Sequence, residues 1–165
     1  MLKSLNNFFN LNISKDDLKS YSSQIGSDCS FFIENEPCLA TGKGEILQEI
    51  LLTLKGFWIV IVYPGIEISS AEAYSGLSPS FHEQNLKELI RLPVTGWKNI
   101  LKNDFETSIF KKHPKIELIK KELYKNGAVY ASMSGSGSSV YGIFYDKCAL
   151  DKFSGKSFKY KIIKL

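Results

Sequence analysis

An α+β fold is predicted, and three features of the sequence predict it. The run Phe57-Trp58-Ile59-Val60-Ile61-Val62-Tyr63 is β-branched and aromatic throughout, which suits a strand buried on both faces. From Pro64 to Asn126 apolar residues recur mostly at helical spacing between proline and glycine breakers. After Gly127 the pattern returns to short strands around a Gly/Ser segment, so helices and strands are segregated along the chain.

Composition narrows the class. The 165 residues can bury roughly 70% of the surface an unfolded chain exposes, and 44% hydrophobic with 23% charged residues excludes disordered, collagen-like and coiled-coil chains. A net charge of +4 is too small to imply a nucleic-acid partner. Cys29, Cys38 and Cys148 form no C-x-x-C pair, so neither a disulfide framework nor a zinc site is expected, and a reducing cytoplasm is the expected location. The run 57–63 stops at Pro64, short of the ~18 residues of a membrane span. The start of the chain, with Asn6, Asn7, Asn10 and Asn12, lacks the apolar region of a signal peptide. No membrane association and no secretion are expected.

Element by element, Leu2, Leu5, Phe8 and Phe9 predict a helix ending near Asn10. Ser14 with Asp17 three residues on predicts the capped start of a second helix, which Leu18, Tyr21, Ser22 and Ile25 continue to Gly26. Phe31 to Ile33 and Cys38 to Ala40 read as brief strands, and Ile46 to Leu54 is densely apolar up to Lys55-Gly56. Helices are expected over Ser70 to Tyr74, Glu83 to Leu92, Trp97 to Leu101, Phe105 to Lys112 and Ile116 to Tyr124. Pro79, Pro93, Gly96 and Pro114 set the joints. Ala128 to Ser132, Val140 to Tyr145 and the alternating Phe158 to Ile162 complete the strands. There is no internal repeat, and the shift at Lys55-Gly56 divides the chain into 1–54 and 55–165.

The most informative segment for chemistry is Ser132-Met133-Ser134-Gly135-Ser136-Gly137-Ser138-Ser139. Its glycines permit positive φ, so consecutive amides can converge on one anion. Composition alone equally allows a flexible linker, although strands on both sides pin the segment at each end. No lysine follows the glycines as in a Walker A loop, the segment precedes a strand instead of opening a helix, and no G-x-S-x-G elbow is formed. His82-Glu83 lacks the second histidine of H-E-x-x-H, since Leu86 stands there, and no metal ligands are assigned. Asp28, between a Gly-Ser turn and Phe31-Phe32-Ile33, is a candidate carboxylate at the edge of a core, but such a turn more commonly uses Asp for a local Asx bond. Ser69 reads as a helix cap, His113-Pro114 as a helix end, and Lys147, Lys152, Lys156, Lys159, Lys161 and Lys164 as a solvated face.

Taken in order, Ile25-Gly26-Ser27-Asp28-Cys29-Ser30-Phe31-Phe32, Ala40-Thr41-Gly42-Lys43-Gly44-Glu45, Pro64-Gly65 with Ser69-Ser70-Ala71-Glu72-Ala73-Tyr74, Asn103-Asp104-Phe105-Glu106, and Gly127 through Phe144 resemble one family, the GHMP small-molecule kinases. The resemblance covers nearly the whole chain. It implies that 55–165 is the family's C-terminal domain, an antiparallel sheet with helices on one face. Residues 1–54 would be the remnant of an ATP-binding domain of the ribosomal protein S5 domain 2-like type. It implies ATP- and Mg²⁺-dependent phosphorylation of a small molecule, namely the 2-hydroxyl of a cytidine diphosphate methylerythritol in non-mevalonate isoprenoid biosynthesis. A family member acting on mevalonate or homoserine, or a non-catalytic interaction domain that keeps the fold, are the alternatives.

By the same resemblance Asp28 is the catalytic carboxylate that deprotonates the acceptor hydroxyl. Ser134, Gly135, Ser136, Gly137, Ser138 and Ser139 close over substrate and nucleotide phosphates, and Ser70 lies near the substrate. Asn103 to Glu106 is expected to terminate a helix. The family's main ATP loop, Pro-x-Gly-x-Gly-Leu-Gly-Gly-Gly-Ser-Ser, its catalytic lysine and its cytosine-binding residues have no counterpart in the sequence. The expectation is therefore a C-terminal portion of such a kinase, inactive alone, which self-associates through residues 1–54 because their apolar face lacks its cover.

Overall fold

The computed structural model describes residues 1–77, 85–147 and 158–165, which form two compact units, Met1–Leu52 and Thr53–Leu165. Cys148, Lys152 and Lys156, the joint at Pro79 and the pair His82-Glu83 lie outside the described residues.

The first unit starts with α1 (Leu2–Phe8), which buries no residue. Asn6 bonds both the amide and the carbonyl of Ile13 at 3.0 Å, while Asn10 and Asn12 take left-handed φ of 51° and 54°, a conformation asparagine tolerates. The asparagine-rich start is therefore a built turn. In α2 (Lys15–Ile25) the Ser14 hydroxyl accepts the Asp17 amide at 3.1 Å, the cap predicted from the spacing, and Leu18 and Ser22 face inward.

Phe31 to Ile33 is not a strand. A 3₁₀ turn over Ser27–Ser30 runs directly into α3 (Phe31–Glu34), which Asn35 ends in the left-handed conformation with its amide on the Phe31 carbonyl at 2.8 Å. Three consecutive apolar residues carry no usable period, and the flanking caps decide. The strands β1 (Cys38–Thr41) and β2 (Ile46–Glu49) then pair antiparallel, with Cys38 opposite Glu49 and Thr41 opposite Ile46.

The second unit is an antiparallel four-stranded sheet with helices packed on it. The strands β3 (Trp58–Tyr63), β4 (Tyr130–Met133), β5 (Val140–Phe144) and β6 (Lys159–Lys164) lie in the order β4-β5-β3-β6. The strand β5 thus sits between β3 and β4, a split β-α-β arrangement. Val60 and Val62 are wholly buried, whereas Ile59 and Ile61 on the alternate face are half-buried, so the burial expected on both faces of β3 is complete on one only.

Between β3 and β4 run α4 (Ser70–Ser75), α5 (Leu86–Leu89), a 3₁₀ segment (Val94–Asn99), α6 (Phe105–Lys112) and α7 (Pro114–Lys125). The helix expected at Trp97 to Leu101 is that 3₁₀ segment. The Trp97 indole donates to the Leu92 carbonyl at 2.9 Å and stacks edge-on against Tyr130, covering the open edge of β4. The opposite edge, β6, is guarded by Lys159, Lys161 and Lys164. Ile116, Ile119 and Leu123 of α7, at helical spacing, meet Val140, Phe144 and Met133 of the sheet to form the core, which Ile109 of α6 completes.

Candidate functional site

The glycine-rich segment is an ordered loop. Because Met133 pairs with Val140, residues 134 to 139 close between β4 and β5. The Ser134 amide donates to the Ser139 carbonyl at 2.8 Å and the Gly137 amide to the Ser134 carbonyl at 3.0 Å. Gly135 and Gly137 adopt φ of +54° and +100°. A Cβ on Gly137 would stand 2.9 Å from the Met133 sulfur and 3.0 Å from Ile68 Cδ1, so this position excludes side chains by space as well as by φ.

The loop forms one wall of a cleft of 630 Å³. Gly137, Ser138 and Ser139 face the connection Ile66, Glu67, Ile68 and the start of α4, with Tyr63 at the end of β3. Ser138 is buried and its hydroxyl donates to the Ile66 carbonyl, stapling the two walls together. At the start of α4 the Ser69 hydroxyl accepts the Glu72 amide at 3.1 Å, the predicted cap, and it is Ser69 that lines the cleft, while Ser70 stands beside it, exposed, in the first turn. Glu72 reaches the cleft with its carboxylate 3.0 Å from His113 Nε2 and 3.9 Å from the Lys112 ammonium. His113 is the predicted joint between α6 and α7, and it also fixes this wall.

Asn103 to Glu106 does not terminate a helix but starts α6, and its side chains turn to the loop. The Asn103 carboxamide donates to the Met133 carbonyl at 2.9 Å and to the Gly135 carbonyl at 2.8 Å, while its oxygen accepts the Phe105 amide at 3.0 Å. Buried Glu106 accepts the Met133 amide at 2.8 Å and the Ser132 hydroxyl at 3.1 Å on one oxygen, and takes the Lys120 ammonium at 2.5 Å on the other. Sequence reasoning missed these residues as partners of the loop. The only local signal was the Asx pattern at Asn103, whose distant acceptors no spacing reveals.

Three tyrosines lie on the strands that carry the loop and on α7: Tyr130 on β4, Tyr141 on β5 and Tyr124 on α7. Burial pushes the Tyr141 phenol well above its usual range, with Tyr130 beside it adding to the effect, and burial raises Tyr130 and Tyr124 as well.

Asp28 belongs to the first unit and is exposed in the 3₁₀ turn Ser27–Ser30. Its Oδ1 lies 2.8 Å from where a Cβ on Gly44 would stand, at a φ of +107°, so the glycine of the β1-β2 turn leaves room for the carboxylate. In the same unit a hydrogen bond to Glu34 raises the pKa of Lys19, 2.9 Å away. Among the described residues no group of three or more His, Cys, Asp or Glu is placed to hold a metal ion, and no helix is long and apolar enough to cross a membrane.

Residues 77–155 match the family model described as GHMP kinases C terminal. Over 144 residues, 87% of this chain and 53% of the relative, the chain is 54% identical to the 4-diphosphocytidyl-2-C-methyl-D-erythritol kinase of Bacteroides thetaiotaomicron. The kinase of the same name from Parabacteroides distasonis is 51% identical over the same shares. The chain thus spans about half the length of the curated relatives it matches. A crystal structure of 4-(cytidine 5'-diphospho)-2C-methyl-D-erythritol kinase superposes with a TM-score of 0.79 at 19% identity, covering 96% of this chain and 59% of that one. Homoserine kinase from Cytophaga hutchinsonii gives 0.67 at 13%, covering 96% and 60%. At these identities the two structures speak for the fold alone.

Proposed function

We propose that this chain, whose residues 77–155 match the family model described as GHMP kinases C terminal, is a member of that family and serves ATP- and Mg²⁺-dependent phosphorylation of the 2-hydroxyl of 4-diphosphocytidyl-2-C-methyl-D-erythritol. The observation that carries this reading is the 54% identity over 144 residues to a kinase named for that substrate. In it Asp28 takes the proton of the acceptor hydroxyl as the oxygen–phosphorus bond forms and the bond from the γ-phosphorus to the bridging oxygen of ATP breaks, leaving ADP. Such transfer depends on positioning and on stabilising spread negative charge. The role of the Ser134–Ser139 loop is to present backbone amides to the phosphates, with Ser70 near the acceptor.

Mg²⁺ would arrive with the nucleotide, whose phosphates supply most of its ligands. A single carboxylate such as Glu67, in the wall of the cleft, fits the usual protein share. Residues 1–54 correspond in this reading to part of the ATP-binding domain and 55–165 to the C-terminal domain, with a cytoplasmic location. Because the curated relatives are about twice as long, the 165 residues alone are proposed to bind ligand without turnover above background, and to self-associate through 1–54.

The test is titration of the ¹⁵N-labelled chain with 4-diphosphocytidyl-2-C-methyl-D-erythritol and with ADP and Mg²⁺, alongside a phosphotransfer assay. Shifts at the amides of Gly135 to Ser139 and at Asp28 are expected. A folded chain whose loop responds to neither ligand would favour a non-catalytic interaction domain, and turnover of ~1–100 s⁻¹ would show that these residues suffice.

A further inference from the structure

The peptide group on each side of Met133, at the root of the glycine loop, is held by the start of α6. Glu106 takes the Met133 amide at 2.8 Å, and Asn103 donates to the Met133 carbonyl at 2.9 Å. The two residues are three apart, so one turn presents both to the same strand. Asn103 then reaches past the root to the Gly135 carbonyl at 2.8 Å. We infer that Asn103, supported by Glu106, is the positioning residue of the loop, fixing the conformation in which its amides receive an anionic ligand. This rests on the loop being the ligand-binding element proposed above.

Three features of the geometry lead there. Both N–H groups of the Asn103 carboxamide are used on loop carbonyls and its oxygen on the Phe105 amide, so each polar function of this side chain has a defined partner. An aspartate would keep the acceptor and lose both donors, and a lysine would lose the acceptor. Secondly, nothing lies within 4 Å of where a Cβ on Gly135 would stand, in contrast to the crowded Gly137. On that side the tip of the loop is restrained by hydrogen bonding instead of packing. Thirdly, Glu106 is itself fixed by Lys120 and Ser132, so the platform from which Asn103 acts is rigid.

Asn103→Asp and Asn103→Ser separate this role from the start of the helix. Both keep an oxygen able to accept the Phe105 amide, and neither offers two donors to the loop. The serine variant introduces no charge beside the carbonyls, which covers the case in which the aspartate variant fails to fold. Amide exchange by NMR should show Ser134 and Gly137 exchanging at least tenfold faster in a folded variant, with Ile109 and Phe110 of α6 unchanged. Binding of ADP with Mg²⁺, followed at the Gly135 to Ser139 amides, should weaken about tenfold or more. Loop exchange within twofold of the unmodified chain overturns the inference, as does a loosened loop that binds the probe with unchanged affinity. If the unmodified loop responds to neither ADP nor the cytidine diphosphate substrate, the ligand-binding reading fails, and with it the inferred role of Asn103 in ligand placement. The exchange rates still decide whether Asn103 fixes the loop.

Discussion

The two units are assembled from similar helical and strand patterns and differ in what they bury. In Thr53–Leu165 a four-stranded sheet and the helices on it enclose Val60, Val62, Ile109, Ile116, Leu123, Val140 and Phe144 completely. In Met1–Leu52 Leu18 and Ile33 are buried, while Phe8, Phe32 and Leu51 remain 78%, 63% and 97% exposed. A two-stranded hairpin and three short helices do not make two full layers, and below about 60 residues a core is marginal in any case. Periodicity thus specifies elements, but burial depends on whether a second layer exists to receive them. The glycine loop stands on the packed unit and Asp28 on the lean one.

The largest expected effect tests that difference directly. Phe144→Ala should destabilise the second unit by about 3–5 kcal/mol, because the emptied site is surrounded by sheet and helix that relax little. Phe8→Ala should change stability by less than about 0.5 kcal/mol. Urea unfolding of both variants checks it, and comparable losses would mean that the contrast in burial does not translate into energy.

Gly137→Val comes next and sharpens the comparison at the site. A β-branched residue at φ +100°, with its Cβ 2.9 Å from the Met133 sulfur, should cost about 1–3 kcal/mol and displace the loop. Gly135→Ala, where no atom opposes a Cβ, should cost less, since only φ resists it. Equal thermal shifts for the two would show that packing against Met133 and Ile68 contributes nothing.

A third effect depends on pH and separates the units by their titrating groups. Burial raises the folded pKa of Tyr141, Tyr130 and Tyr124 above the usual value near 10. Their neutral forms therefore add stability that is fully present below about pH 10 and is lost as pH rises from there toward the folded values. While a tyrosine is ionised in the unfolded chain and neutral in the folded one, the loss is about 1.4 kcal/mol per pH unit. Urea titrations between pH 9 and 11 should show this slope for the second unit, and Tyr141→Phe should reduce it. In the first unit the raised Lys19 works in the same direction, present below about 10.5 and lost above, but its side chain stays about one-third open to solvent beside Glu34 and its effect should be slight.

What the sequence made legible follows the same division between local and distant. Ser14 and Ser69 announce their caps because donor and acceptor lie three residues apart. The bounds of α6 follow from the residues at its ends, and the positive φ at Gly135 and Gly137 follows from residue type. Phe31 to Ile33 misled because three apolar residues carry neither a period of 2 nor one of 3.6. The clamp on the loop was not legible, since Asn103 and Ser138 find their acceptors 30 and 72 residues away at Met133 and Ile66. Asp28 is a candidate from its place before an apolar run, but only the resemblance gives it a catalytic role, as its own turn is one that many aspartates occupy for local reasons.

The smallest effect on folding, and the most direct test of the lean unit, concerns assembly. Phe8 and Phe9 meet edge to face at 5.0 Å while exposed, and none of α1 is buried. Apolar surface of this kind seeks cover. Residues 1–54 carry four lysines against seven aspartates and glutamates, a net charge of −3, while the remainder carries +7. If copies join through 1–54 on both sides, like charges meet, and salt should strengthen association by screening them. If the first unit of one copy instead docks on the second unit of another, opposite charges meet and salt should weaken it. Sedimentation at rising concentration and at two ionic strengths distinguishes these. The expected result is association that grows with salt and is abolished by Phe8→Ser with Phe32→Ser, with unfolding free energy changed by no more than about 0.5 kcal/mol. A chain that stays monomeric at high concentration in both salts would show that this exposed apolar face needs no partner.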